Sequence, residues 1–333
     1  MRTIIGVCLF AAFAWFGYWF VGSSALETGT KAWLQDRQEQ GWVADYSSLE
    51  VHGFPNRFDT TVTDFNLADP AYGWAWQVPK FQVLTLSYTP NQFTAVWPDT
   101  QTISTPHKKY NISSEDMRAS IVFTPNTTLA LDRATMTLKN LTIRTGADQA
   151  SSIISAVLAT RQSDTANFAH DIAFEGKGWI PSKALKAKID PTSLLPADFE
   201  TVVIKTTAHF DAPWDRIAIE AKKPNLTRLD ITAFDAKWGK VQIQATGSVT
   251  VDPDGYPTGK VAVRAKNWRE MIQLAVASGA LDANIGQSLE TGLGLIAMLS
   301  GNQNTLDVPL SFSNRIMSLG PIPIGPAPRL KRY

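Results

Sequence analysis

The chain has one cysteine, Cys8, among its 333 residues. A lone thiol excludes an intramolecular disulfide. Because Cys8 sits inside an apolar run, the rest of the chain is also without thiolate catalysis or cysteine metal ligands. Surplus charge is lacking as well. The 31 Lys and Arg stand against 30 Asp and Glu, so no strong field exists to recruit nucleic acid or another polyion. Histidine is scarce: His52, His107, His170 and His209 lie in four separate segments, none with a second His three or four residues on. A zinc site or a Ser-His-Asp triad therefore has no local support. A nucleophile elbow, a Walker loop and a dinucleotide-binding glycine motif are missing too. No metal and no cofactor is expected. Asp211 and Asp215 in "FDAPWDR" read as a loop salt-bridged by Arg216 rather than as a general acid/base pair.

What the chain does have begins at Ile4, where eighteen uncharged residues run to Val21 behind Arg2. That length suits a membrane span, and Trp15, Tyr18 and Trp19 near its end suit a membrane interface. A cleaved signal peptide is the competing reading, since Ser23-Ser24-Ala25 offers small residues for cleavage. We read residues 1–25 as a retained transmembrane anchor with the bulk of the chain exported. Residues 26–41 form a polar helical stalk ending at Gly41, and residues 42–333 an elongated β-rich domain.

Strand signals dominate that domain. "RFDTTVTDFNL" alternates Phe58, Thr60, Val62 and Asp64 against Asp59, Thr61, Thr63 and Phe65. Similar runs recur with Pro, Gly, Asn and Asp in the gaps. Period two without alternating helices argues for antiparallel sheet. Helical spacing is expected near 149–161, through Ile153, Ile154, Val157 and Leu158. It returns at 268–299, where Ile285, Leu289, Leu293 and Ile296 share a side. The ending "SLGPIPIGPAPRLKRY" reads as an edge segment whose Ile322 and Ile324 dock on the body while Arg329, Lys331 and Arg332 stay in solvent. The fold class is mainly β (α+β): a long curved antiparallel sheet, either an open groove or a filled core, with a few packing helices.

The candidate working surface is a valine row in "VQIQATGSVTVDPDGYPTGKVAVRA". Val249, Val251, Val261 and Val263 share one face of a hairpin reversed at Asp252–Gly255. "DPDG" is a turn and not a calcium loop, because its glycine comes too early and no bidentate Glu follows.

Three stretches, "HGFPNRFDTTVTDFNLADPAYGWAWQVPKFQVLTLSY", "GSVTVDPDGYPTGKVAVRAKNWREMI" and "MSLGPIPIGPAPRL", resemble a membrane-anchored Gram-negative envelope family known only as a domain of unknown function. More distantly, strand, Asp-Gly turn, strand and an "NW" helix start are similar to AsmA-type envelope proteins. That resemblance implies a sheet with a hydrophobic trough, a periplasmic location and a part in lipid homeostasis. The leading expectation is a single-pass inner-membrane protein, not an enzyme, binding lipid acyl chains or another apolar ligand on its sheet. The alternative is a scaffold binding other envelope proteins through sheet edges and the Pro-rich C-terminus; a hydrolase is a third.

Overall fold

The computed structural model describes residues 1–146, 150–220, 223–299 and 303–330. Among these residues the chain is mainly β, antiparallel throughout, with five helices and eighteen strands. It divides into two compact units, residues 1–125 with 136–147, and residues 126–135 with 148–333.

The first unit opens with α1 (Arg2–Glu39), a single 38-residue helix that continues without a break from the apolar run into the polar segment. At 1.5 Å per residue it is about 57 Å long, far more than the ~30 Å of a bilayer core. It is the helix long and apolar enough to cross a membrane. The strands are β1 (Val43–Asp45), β2 (Ser48–His52), β3 (Arg57–Asp69), β4 (Trp74–Leu86), β5 (Gln92–Val96), β6 (Thr100–Ser104), β7 (Lys109–Ser113), β8 (Asp116–Phe123) and the later part of β9 (Leu131–Arg144). β3 and β4 form the central ladder, Arg57 opposite Leu86 through Asp69 opposite Trp74. Leu34 of α1 closes on a core of Leu49, Val62, Phe65, Leu67 and Val78.

Strict alternation places Phe65 on the face opposite Phe58. The structure corrects this: Val62 and Phe65 belong to one core cluster. Asp64 sits between them at φ 48°, in the left-handed region, and so turns the following side chains to the other face.

The second unit is a meander in chain order: β10 (Ala150–Gln162), β11 (Ala169–Trp179), β12 (Phe199–Phe210), β13 (Leu226–Trp238), β14 (Val241–Val251), β15 (Pro257–Lys266), β16 (Thr305–Ser313), β17 (Ile316–Leu319) and β18 (Ile322–Pro326), each antiparallel to the next. Its helices are α2 (Lys183–Ile189), α3 (Arg216–Glu220), α4 (Trp268–Ala277) and α5 (Ala283–Leu299). α4 and α5 cover one end of the sheet, where Trp268, Ile272, Leu289 and Leu293 pack on Ala265, Leu306 and Val308. Ile285, Ile322 and Ile324 pack against the same cluster. The side chain of Ile296 lies outside the described residues.

The helix expected near 149–161 is overturned. From Ala150 that stretch is β10, paired with β11 from Ser155 opposite Lys177 to Gln162 opposite His170. Gln149 itself lies outside the described residues. The spacing of Ile153, Ile154, Val157 and Leu158 fits one helix face, but three of the four are β-branched, and the neighbouring strand supplies a ladder from Ser155 onward.

Arg329 is also corrected. It does not stand free in solvent but donates to the carbonyl oxygen of Asp254 at 2.7 Å. Lys331 and Arg332 lie outside the described residues.

Candidate functional site

A largely apolar hollow lies in the first unit, between the second half of α1 and the β3–β4–β5 face. Its volume is about 370 Å³, within the roughly 300–1,000 Å³ of small-molecule sites. Gly22, Leu26 and Leu34 form one wall, and Val62, Val83 and Phe93 the other. The polar side-chain groups of its lining are the hydroxyls of Thr30, Thr60 and Thr85 and the indole of Trp33. From Gly22 to Leu34 the wall follows α1 for about 18 Å, starting one residue past the apolar run that ends at Val21.

Glycine at position 22 leaves room for a ring. A Cβ there would lie 2.7 Å from the Phe58 ring, so its absence lets helix and sheet close against each other at that end. Aromatic rings seal the same end. Trp19 is 6% exposed and stacks on Phe58 at 6.0 Å. Three ring donors then fix the register of helix on sheet: Trp15 Nε1 to Pro55 O at 3.0 Å, Tyr18 Oη to Ser87 O at 2.6 Å, and Trp19 Nε1 to Arg57 O at 2.7 Å.

The valine row lies in the second unit. Its members occupy facing positions of the β14–β15 pair: Val249 opposite Gly259, Val251 opposite Pro257, Val261 opposite Gly247 and Val263 opposite Ala245. Val249 and Val261 are buried, at 5% and 4% exposure. Val251 and Val263 keep partial exposure, and Val263 borders an open hollow of about 620 Å³ with Asp235, Gln244, Arg264 and Asp307. The polar groups of that hollow satisfy one another. Arg264 donates to Asp307 at 2.7 Å, holding that carboxyl below its ordinary value, and Gln244 donates to Asp235 at 2.7 Å.

Asp211, Asp215, His52 and His209, all weighed from sequence, have structural partners. Asp211 accepts from the backbone and side-chain nitrogens of Asn225 at 2.7 and 2.6 Å, and Asp215 accepts from Ala218 N at the start of α3. His52 pairs with Glu50 and His209 with Asp230, each at 2.8 Å. His170 is buried, and desolvation lowers its pKa despite the opposing charges of Asp171 and Asp132. Among the described residues, no three His, Cys, Asp or Glu side chains are grouped to hold a metal. In the Asp252–Gly255 turn, Asp252 accepts from Tyr256 N at 2.8 Å and Asp254 pairs with Arg315 at 2.8 Å.

One buried charge is prominent. Asp190, after α2, is fully buried. It is paired with Lys186 and accepts from Leu194 N at 2.9 Å and Leu195 N at 3.0 Å. Burial alone raises its pKa, but these donors and the ammonium outweigh it, and the net shift is downward. Lys186 also lies over the Trp238 ring at 4.7 Å. The cluster locks the α2 loop onto the sheet and presents no reactive group.

A family model described as "Uncharacterized protein conserved in bacteria (DUF2125)" matches residues 19–328. The chain belongs to this family. No curated protein and no solved structure matches it. Trp19 is the first residue of the family match, which takes in the cleft and the valine row.

The sequence reading missed the cleft. The signal that could have found it is Gly22 followed by Leu26, Thr30 and Leu34 at four-residue steps, which mark a second, sheet-facing stripe beyond the apolar run.

Proposed function

We propose that this DUF2125 protein is a non-enzymatic, single-pass inner-membrane protein of the bacterial envelope. Its bulk lies in the periplasm, and it binds a lipid acyl chain in the cleft between α1 and the β3–β4–β5 face. The observation that carries the proposal is the position of the cleft. An apolar slot of about 370 Å³ follows the same helix whose preceding turns are long and apolar enough to cross a membrane. A chain leaving the bilayer along α1 would pass from hydrocarbon to Leu26, Val83 and Phe93, keeping its apolar surface out of water. The distant resemblance to AsmA-type proteins read from the sequence would imply the same role. The cleft, more than the partly closed valine row, would be the working surface.

The test is photo-cross-linking in proteoliposomes carrying a phospholipid with a diazirine on its acyl chain, with labelled peptides mapped by mass spectrometry. Label is expected within β3 and β4 at Val62, Phe81 and Val83 as well as on residues 4–21. The Val83→Trp variant, which fills the slot, should lose the strand label and keep the helix label. Label confined to residues 4–21 in the wild-type protein overturns the proposal.

A further inference from the structure

We propose that Gly53–Arg57 and Leu86–Tyr88 form a collar that inserts into the membrane interface beside α1, giving the protein a second contact with the bilayer. This rests on α1 crossing the membrane and is independent of what the cleft holds. The argument is one of depth. Trp15 lies six residues before Val21, so its ring sits about 9 Å inside the end of the apolar run. Because Trp15 donates to Pro55 O at 3.0 Å, the Phe54–Pro55 tip lies at that depth too. With residues 4–21 in the bilayer, the collar cannot remain in bulk water.

Its chemistry suits that place. Arg57 is the one charged residue in the two segments. It pairs with Asp59 at 3.0 Å, on a side chain long enough to carry its charge outward. Phe54 is half exposed and meets Phe16 edge-on at 5.5 Å, while Tyr88 is 60% exposed. Tyrosine, with its amphipathic ring, concentrates at membrane interfaces, and the apolar Phe54 ring gains by leaving water. The backbone is prepared as well. The carbonyls of Pro55, Arg57 and Ser87 accept from rings of α1, Arg57 N donates to Gly53 O at 2.8 Å, and Ser87 N donates to Asn56 O at 2.9 Å. Irregular backbone is tolerated at membrane depth only when its polar groups are paired within the protein. At the other end of β3, about 40 Å away by strand rise, Tyr72 is 84% exposed in a turn beside Asp69.

Spin labels on single cysteines in the full-length protein test this in vesicles of phosphatidylethanolamine and phosphatidylglycerol. Native Cys8 gives the bilayer reference. Phe54→Cys, Tyr88→Cys and Tyr72→Cys are made in a Cys8→Ser background. Labels at positions 54 and 88 should lose accessibility to a water-soluble nickel chelate and keep accessibility to oxygen, whereas the label at 72 stays open to nickel. Should Phe54→Cys fail to fold, Tyr88→Cys, the more exposed position, carries the test. Nickel access at 88 equal to that at 72, with Cys8 protected, overturns the collar alone. Nickel access at Cys8 itself removes the membrane-crossing reading and the collar with it.

Discussion

The indole Nε1 of Trp19 donates to the carbonyl oxygen of Arg57 at 2.7 Å, joining residues 38 apart in sequence. A residue of the apolar run is thereby part of the folded body, and α1 is held by shape and by hydrogen bond. Trp19→Phe keeps most of the ring and removes the donor, and should cost about 1–2 kcal/mol through the unpartnered carbonyl. Trp19→Ala should cost about 3–5 kcal/mol. Urea unfolding of the detergent-solubilised protein measures both; a Trp19→Phe protein as stable as wild type would show that the hydrogen bond contributes nothing.

Gly247 stands opposite Val261 at φ 154°, where a Cβ would meet the Lys260 carbonyl oxygen at 2.4 Å and the Val261 Cα at 2.7 Å. Both atoms are backbone and cannot step aside. Gly247→Ala should therefore destabilise the second unit by about 2 kcal/mol or more. Gly29→Ala, on α1 where a Cβ meets nothing within 4 Å, should instead stabilise by roughly 0.5–1 kcal/mol. Thermal melts of the two variants give the contrast.

Val261 and Val263 are two residues apart on one strand face and differ in burial. Val261→Asp places a carboxylate where nothing pairs with it in the native packing, at a cost comparable to the whole stability of an ordinary domain, on the order of 5–15 kcal/mol. An insoluble or molten protein is expected. Val263→Asp, whose side chain reaches solvent, should remain folded with a lower Tm. Circular dichroism and solubility decide; a folded Val261→Asp protein would show that this position is not core.

Acid should destabilise the second unit in two windows. His170 has a lowered pKa, chiefly from burial. Its neutral form is native, so stability is full above its ordinary value of about 6.5 and falls as pH drops toward the lowered one. Asp190 is also shifted down, so its contribution persists above the usual carboxylate value of about 3.9 and is lost as pH falls through its folded value. Tm against pH should show a shallow loss below pH ~6.5, flattened in His170→Gln, and a steeper loss in the carboxylate range.

Asp190→Ala strands Lys186 over the Trp238 ring without its counter-charge and frees two backbone donors. The expected cost at neutral pH is about 3 kcal/mol, with a flatter acid limb than wild type. A wild-type acid limb in this variant would assign the carboxylate window to other groups.

Local patterning carried much of the fold. Eighteen uncharged, mostly apolar residues favour a helix, which satisfies every backbone group within one segment where water is absent. Alternation between Pro and Gly breaks dictates antiparallel strands, and Asp252–Gly255 dictates the hairpin that sets Val249 opposite Gly259. These signals lie within ten or twenty residues of one another. Where they failed, the deciding partner was distant. Ile153, Ile154, Val157 and Leu158 suit a helix face or a strand equally until β11 offers its ladder, and Phe65 changes face because one residue, Asp64, adopts a positive φ.

The sequence by itself determined an apolar helix followed by antiparallel sheet, a reactive-group inventory with its single thiol inside the apolar run and no paired histidines, and a one-sided valine row. Only tertiary structure decided which apolar faces are closed. Gly22 and Phe58 meet, Leu34 closes on Val62 and Phe65, and Val83 and Phe93 are left to line an unfilled slot. Burial depends on what packs from elsewhere in the chain, and hydrophobic contact is non-directional, so no local pattern specifies which apolar side chain finds a partner and which keeps an opening beside it.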